Sequence, residues 1–269
     1  MSGFSPVEIG LLIAILAASA LMSGLSGFGF SAVGALCLTL LPPTLGVPLL
    51  MSLSAANQLM SLRQLKADMK PFAEWWPNGP APYLLGGLVG VPIGLMILKS
   101  LPTTALMAVF GGFLVLYAAY SLLRPNLQEA RVGGGWLASS LVGATGGVIG
   151  GFTAFPGAPV VVWSGLKRLP KAESRAIVQP YILGLQLLAI ALLAVQRPET
   201  FSRPYWILLA ITAPVVLPCT LLGVNLYRSL SDINFRRITF LLLGVSGFGL
   251  LLKAGGAAEL LAGARAMGL

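Results

Sequence analysis

The stretch Ser23-Gly-Leu-Ser-Gly-Phe-Gly-Phe-Ser31 interrupts an apolar block that runs from Val7 to Leu41. As one helix that block would reach roughly 50 Å, far beyond a ~30 Å hydrocarbon core. Each glycine costs a helix about 1 kcal/mol relative to alanine, so Gly24, Gly27 and Gly29 together predict a break. A second block, Gly134–Leu166, is equally overlong. It carries its own glycine-rich stretch, Gly146-Gly-Val-Ile-Gly-Gly-Phe-Thr-Ala-Phe-Pro-Gly157, in which a proline removes a helical donor. Both blocks are expected to fold as broken helices.

Working outward, the other apolar blocks are Leu45–Leu65, Pro82–Leu98, Thr103–Leu123, Ile177–Val195, Pro204–Tyr227 and Ile238–Leu252. Each is near the length of one membrane crossing. Of 269 residues 57% are hydrophobic and only 9% charged, against roughly a quarter charged in an ordinary globular chain. There is too little polar surface for a water-soluble fold, which excludes a soluble enzyme, a secreted disulfide scaffold and a disordered tail. The net charge of +9 does not indicate nucleic acid, because the cations sit sparsely between apolar blocks rather than on one wet face. The fold class is an all-α polytopic membrane protein. No Lys or Arg precedes the first block, so a cleavable signal peptide is not expected. Cys37 and Cys219 lie inside apolar blocks and read as small packing residues.

The two anomalous blocks fall at corresponding places in two halves. An offset of 123 pairs Gly24 with Gly147, Gly27 with Gly150 and Gly34 with Gly157. Further on, an offset of 129 pairs Gly94 with Gly223, Lys99-Ser100-Leu101 with Arg228-Ser229-Leu230, and Arg124 with Lys253. Residues 1–124 and 134–253 are therefore expected to be two repeats, joined by a loop over 125–133 and followed by a tail over 254–269. Each repeat would hold one glycine-broken hairpin, re-entrant or made of two short spans, plus three transmembrane helices.

Charge tests the topology. Eight simple spans leave the 17 Lys and Arg split almost evenly between the two sides, with no positive-inside bias. If each broken block returns to its own side, one face collects Arg63, Lys66, Lys70, Arg124, Arg131, Lys167, Arg168, Lys171, Arg175, Arg228, Arg236 and Arg237. Each half then crosses an odd number of times, so the repeats are inverted and both termini lie outside. Inverted repeats with paired broken helices are how secondary transporters build a site near the bilayer midplane.

Exposed N–H groups at a half-helix N-terminus suit an anion. The expected anion hosts are backbone N–H groups near Gly27, Gly29, Gly150 and Gly151, with hydroxyls from Ser23, Ser26, Ser31 and Thr153. Polar residues within spans are costly enough to point to function or to helix bridging. Asn57, Gln58 and Gln179 are candidates for either role, and Gln186 and Asn225 weaker ones. Phe28, Phe30, Phe152 and Phe155 flank the breaks as packing groups or gate. Gly86, Gly90 and Gly94 form a small-residue row that reads as helix packing. Gly27-Phe-Gly-Phe-Ser-Ala32 formally matches a dinucleotide fingerprint but lacks the strand context that would give it meaning. Trp75, Trp76, Tyr83, Tyr205 and Trp206 stand at block edges, as an interfacial belt would. Arg63 and Arg175 read first as cytoplasmic anchors, and second as cations that draw an anion inward. All eight acids lie in loops, near span ends or in the tail, and there is no histidine. A proton relay, a metal site and an intramembrane enzyme thus have no candidate groups, and no cofactor is expected.

These residues give the chain a resemblance to the sulfite exporter TauE/SafE family, also called the toluene sulfonate uptake permease family. The resemblance rests on the first glycine-rich break, on Gly150-Gly-Phe-Thr-Ala-Phe-Pro-Gly-Ala-Pro-Val-Val-Val-Trp163, and on Gly-x4-[Lys/Arg]-Ser-Leu near 94–101 and 223–230. It covers essentially the whole chain. Relatives often carry more glycine where this chain has Phe28 and Phe30, and Pro-Pro where it has Ala158-Pro159. The resemblance implies transport of a small sulfur-containing anion, such as sulfite, sulfoacetate or another organosulfonate, across the bacterial cytoplasmic membrane. The expectation is a secondary transporter working by alternating access, in contact with the lipid bilayer and with a homodimer possible. A passive anion channel and a non-transporting scaffold are the alternatives.

Overall fold

A computed structural model describes residues 5–64, 74–123, 134–167, 169–227, 241 and 244–255. Among the described residues the chain is helical throughout. Its elements are α1 (Pro6–Ser26), α2 (Phe30–Gly34) running into a 3-10 turn (Ala35–Thr39), α3 (Pro43–Gln64), α4 (Ala81–Ser100) and α5 (Thr103–Leu123). Then come α6 (Trp136–Thr153), α7 (Gly157–Leu166), α8 (Lys171–Gln196), a short 3-10 turn (Pro198–Phe201) and α9 (Arg203–Tyr227). A last helical segment covers 244–255. Six of these helices, α1, α3, α4, α5, α8 and α9, are long and apolar enough to cross a membrane. The chain is a multi-pass membrane protein.

Local chemistry sets the boundaries. Ser5 and Glu8 close a capping box on α1: the Glu8 N–H donates to Ser5 Oγ at 3.2 Å, and the Ser5 N–H to the Glu8 carboxylate at 2.7 Å. Both overlong blocks are broken. The first break falls at Gly27–Gly29, where both glycines adopt left-handed φ angles of 77° and 90°. The second falls at Ala154–Pro156, not at the glycines before it. Gly146, Gly147, Gly150 and Gly151 all lie within α6 and serve close packing instead.

That packing is mutual. α4 lies alongside α6, and a Cβ on Gly94 would stand 2.8 Å from Gly151 Cα. α1 lies alongside α9 in the same way, with a Cβ on Gly223 3.0 Å from Gly24 Cα. In lipid, where apolar drive between helices is weak, such backbone approach is what holds helices together. The Gly86, Gly90 and Gly94 row is thus a packing stripe.

α8 runs parallel to α4. Tyr83 meets Tyr181 edge-to-face at 6.4 Å near one end, and Lys99 Nζ donates to Gln196 Oε1 at 3.1 Å near the other. α9 runs parallel to α3, with Ser52 Oγ 2.6 Å from the Tyr205 hydroxyl and Thr220 Oγ1 donating to Asn57 Oδ1 at 2.6 Å. Tyr83 and Tyr205, at block edges, are buried within the bundle. Trp76 and Trp206 do stand exposed.

Several expectations lie outside the described residues. These are Lys66, Asp68, Lys70, Arg124, Glu129, Arg131, Arg168, Arg228, Asp232, Arg236, Arg237, Glu259 and Arg265, and with them most of the charge pattern used to orient the chain. The 125–133 loop, the Arg228-Ser229-Leu230 motif, the start of the eighth block and the tail beyond Gly255 lie outside them too.

Candidate functional site

Each break is built on the same small device. At the first, Ser26 Oγ donates back to the Met22 carbonyl at 2.8 Å and accepts the Phe28 N–H at 3.3 Å. Ser26 Oγ also pairs with the Phe28 carbonyl. At the second, Thr153 Oγ1 donates to the Ile149 carbonyl at 2.6 Å and accepts the Phe155 N–H at 3.1 Å. The residue after each hydroxyl is left-handed: Gly27 at φ 77° and Ala154 at φ 59°. The carbonyl of each accepts a glutamine amide, Gln58 Nε2 to Gly27 at 3.2 Å and Gln186 Nε2 to Ala154 at 2.8 Å. Gly27 and Ala154 thus occupy the same position in two caps of like local geometry.

The first break carries a polar cluster inside the bundle. Asn57 of α3 donates to Ser23 Oγ at 2.6 Å and accepts from Thr220 of α9 at 2.6 Å, tying α1, α3 and α9 together. Asn57 and Thr220 are fully buried. From α8, Arg175 Nη2 donates to the Gly24 carbonyl at 2.8 Å. Its side chain also lies across Gly27, so a Cβ there would stand 2.8 Å from Arg175 Nε. Arg175 is buried, although its place near the end of an apolar block reads as a surface anchor. The reason is that α8 begins at Lys171, before the apolar block starts at Ile177, and its first turns dock on α1.

One turn on, Gln179 has no exposed surface, and neither of its amide atoms has a hydrogen-bond partner among the described residues. Ser31 Oγ and Gln58 Oε1 are likewise buried with no partner among the described residues. Such groups cost about 1–3 kcal/mol each. With 100° per residue, Arg175, Gln179 and Gln186 share one face of α8. That face runs from the first break, at Arg175, to the second, at Gln186, over roughly 16 Å. The arrangement offers a cation, an amide with open donors and acceptors, and a hydroxyl, and among the described residues no cluster of metal-ligating groups.

The other expected hosts are committed elsewhere. Ser26 and Thr153 are spent on their caps, and Ser23 and Asn57 on each other. The Gly27 N–H donates to the Ser23 carbonyl at 2.7 Å, while Gly150 and Gly151 sit inside α6. Gly29 is the uncapped N-cap of α2. Phe30, Phe152 and Phe155 pack in the core, with Phe28 partly buried against it. Asn225 faces outward from α9. Arg175 and Thr220 are the residues that sequence alone undervalued, since only the helix packing brings them to α1.

Among the described residues the chain is an all-helical, multi-pass membrane protein with two broken helices and a buried polar cluster at one of them. The model of the sulfite exporter TauE/SafE family matches residues 11–250. The chain belongs to that family, and it is a membrane transporter. No curated protein and no solved structure matches it.

Proposed function

We propose that the protein is a secondary transporter of a small sulfur-containing anion, such as sulfite, sulfoacetate or another organosulfonate, in the cytoplasmic membrane. The observation that carries this is Arg175, buried against the broken end of α1 and one turn from the unpartnered amide of Gln179. A guanidinium presents a planar fork of donors that matches the oxygens of such an anion. Gln179, Ser31 and Gln58 supply neutral hydrogen bonds around it. The substrate would enter along the face of α8 between the two breaks.

Alternating access is supported by the arrangement of the halves. α4 parallels α8 and α3 parallels α9. The short connection over 197–202 reverses the chain between α8 and α9. α3 therefore opposes α8, and α4 opposes α9, as inverted repeats require. The matched caps at Gly27 and Ala154 fit the same duplication.

The test is counterflow in proteoliposomes with sulfite, sulfoacetate, thiosulfate, sulfate and simple carboxylates. A carrier saturates and is accelerated by substrate on the trans side. Uncoupled current without trans acceleration assigns a channel instead, and movement of none of these anions overturns the proposal.

A further inference from the structure

A second feature lies away from the polar cluster, on the other side of α7. A cavity of 290 Å³ is lined by Phe113 and Tyr117 of α5, Val142 of α6, and Pro159, Val162 and Trp163 of α7. Its walls are apolar. Pro159, Trp163 and Lys167 follow one another at four-residue spacing, so they form one stripe along α7. Lys167 Nζ stands 5.5 Å over the Trp163 ring and donates to Ser139 Oγ of α6 at 3.1 Å. Near the start of α6, Trp136 meets Trp76 at 5.4 Å, and both rings are about half exposed. Paired exposed tryptophans mark a membrane–water interface. α7 thus runs from an interfacial end, at Lys167, down to the second break at Pro156. Ten residues of helix cover roughly 15 Å, which is one leaflet of a ~30 Å hydrocarbon core.

We propose that this cavity holds one acyl chain of an anionic phospholipid whose phosphate is bound by Lys167. The depth of the stripe, the apolar aromatic lining and the cation one turn beyond Trp163, at the interfacial end of α7, each correspond to one part of that molecule. Lys167 is half-buried, and burial pushes its ammonium below the ordinary lysine range. A phosphate placed beside it supplies the counter-charge that offsets this desolvation. A zwitterionic lipid carries the same phosphate, but its own ammonium already offsets that charge, so the gain at Lys167 is smaller and the site discriminates by net headgroup charge. An uncharged occupant offers Lys167 no counter-charge, and a small transported anion would leave the apolar walls of the cavity unfilled.

The experiment is native mass spectrometry of the full chain, delipidated and then offered equal phosphatidylglycerol and phosphatidylcholine. The wild type is expected to retain phosphatidylglycerol about tenfold over phosphatidylcholine. Lys167→Gln is expected to bring that ratio close to one, with Val162→Phe lowering retention of both by filling the cavity. Both positions are only partly buried, so both variants are expected to elute as folded, monodisperse protein. No headgroup preference in the wild type, or a preference that survives Lys167→Gln, overturns the proposal. A Val162→Phe protein that keeps its phosphatidylglycerol but loses anion transport also overturns it, and assigns the cavity to the substrate.

Discussion

Arg175 of α8 donates from Nη2 to the carbonyl of Gly24 in the last turn of α1, at 2.8 Å, and the pair is buried in the bundle. The carbonyl end of a helix carries a partial negative charge, which suits a guanidinium. The same guanidinium lies where an anion at the first break would meet it. Arg175→Ala is expected to lower transport by about 10- to 150-fold, the equivalent of about 1.5–3 kcal/mol for a charge-assisted hydrogen bond. Arg175→Lys keeps the charge but not the planar fork, and is expected to fall between the two. Initial rates of uptake into proteoliposomes, at matched protein content, check both. Equal rates in wild type and Arg175→Ala would remove Arg175 from the site.

The two left-handed caps make an asymmetric pair of substitutions. Ala154 carries a Cβ at φ 59°, where an L side chain costs roughly 1–2 kcal/mol. Ala154→Gly relieves that cost and is expected to stabilise the protein by up to about 1 kcal/mol. Gly27→Ala adds the same strain and pushes its methyl into Arg175. It is expected to destabilise the fold and depress transport together. Thermal unfolding in detergent reads the first effect, and uptake reads the second.

Sequence made the fold class and the existence of both breaks legible, because excess block length and glycine cost are local properties. The site was legible only in part. Asn57 and Gln58 stand out as polar residues in an apolar span, but the partner of Asn57 on α9, Thr220, is an ordinary residue in an ordinary block. Arg175 looks like an anchor because hydropathy ends the apolar block at Ile177, while the helix continues to Lys171. The second break does fall inside the Gly146–Gly157 stretch, at Ala154–Pro156, but two of the glycines before it, Gly147 and Gly151, pack against α4, since small residues serve breaks and close approach equally well. Tertiary contact, not composition, separates those roles.

The packing glycines therefore differ sharply from one another. A Cβ on Gly94 would meet Gly151 Cα at 2.8 Å, and one on Gly223 would meet Gly24 Cα at 3.0 Å, both rigid backbone. A Cβ on Gly112 meets nothing within 4 Å. Gly94→Ala and Gly223→Ala are expected to destabilise by about 1–3 kcal/mol through overpacking. Gly112→Ala is expected to be neutral or to gain up to about 1 kcal/mol of helix propensity. Parallel melting curves of the three variants decide, and a Gly94→Ala protein as stable as Gly112→Ala would contradict the close α4–α6 contact.

Asn57 joins three helices through two buried hydrogen bonds, to Ser23 and from Thr220. Asn57→Ala leaves both hydroxyls without this partner and is expected to cost about 1–3 kcal/mol. Thr220→Val removes only one of the bonds, and interhelical hydrogen bonds in membranes average about 0.6 kcal/mol. The double variant is expected to cost less than the sum, because the two changes remove a shared interaction. Additive losses would mean that the bond between them contributes nothing.

Gln179 separates binding from folding. Its amide is fully buried with neither atom hydrogen-bonded among the described residues, a state that costs about 1–3 kcal/mol. A purely structural residue under that penalty is improved by an apolar replacement of similar shape. Gln179→Leu is therefore expected to raise the unfolding temperature, with a gain of about 1 kcal/mol or more. If the amide is held open for the anion, the same change is expected to raise the KM for transport about tenfold while the protein becomes more stable, the usual trade between function and stability. Adding substrate to the wild type fills the amide's hydrogen bonds and raises its melting temperature, and that ligand-induced shift is expected to shrink in Gln179→Leu. A variant that is more stable yet transports with unchanged KM would leave Gln179 outside the binding site and move the search to Ser31 and Gln58.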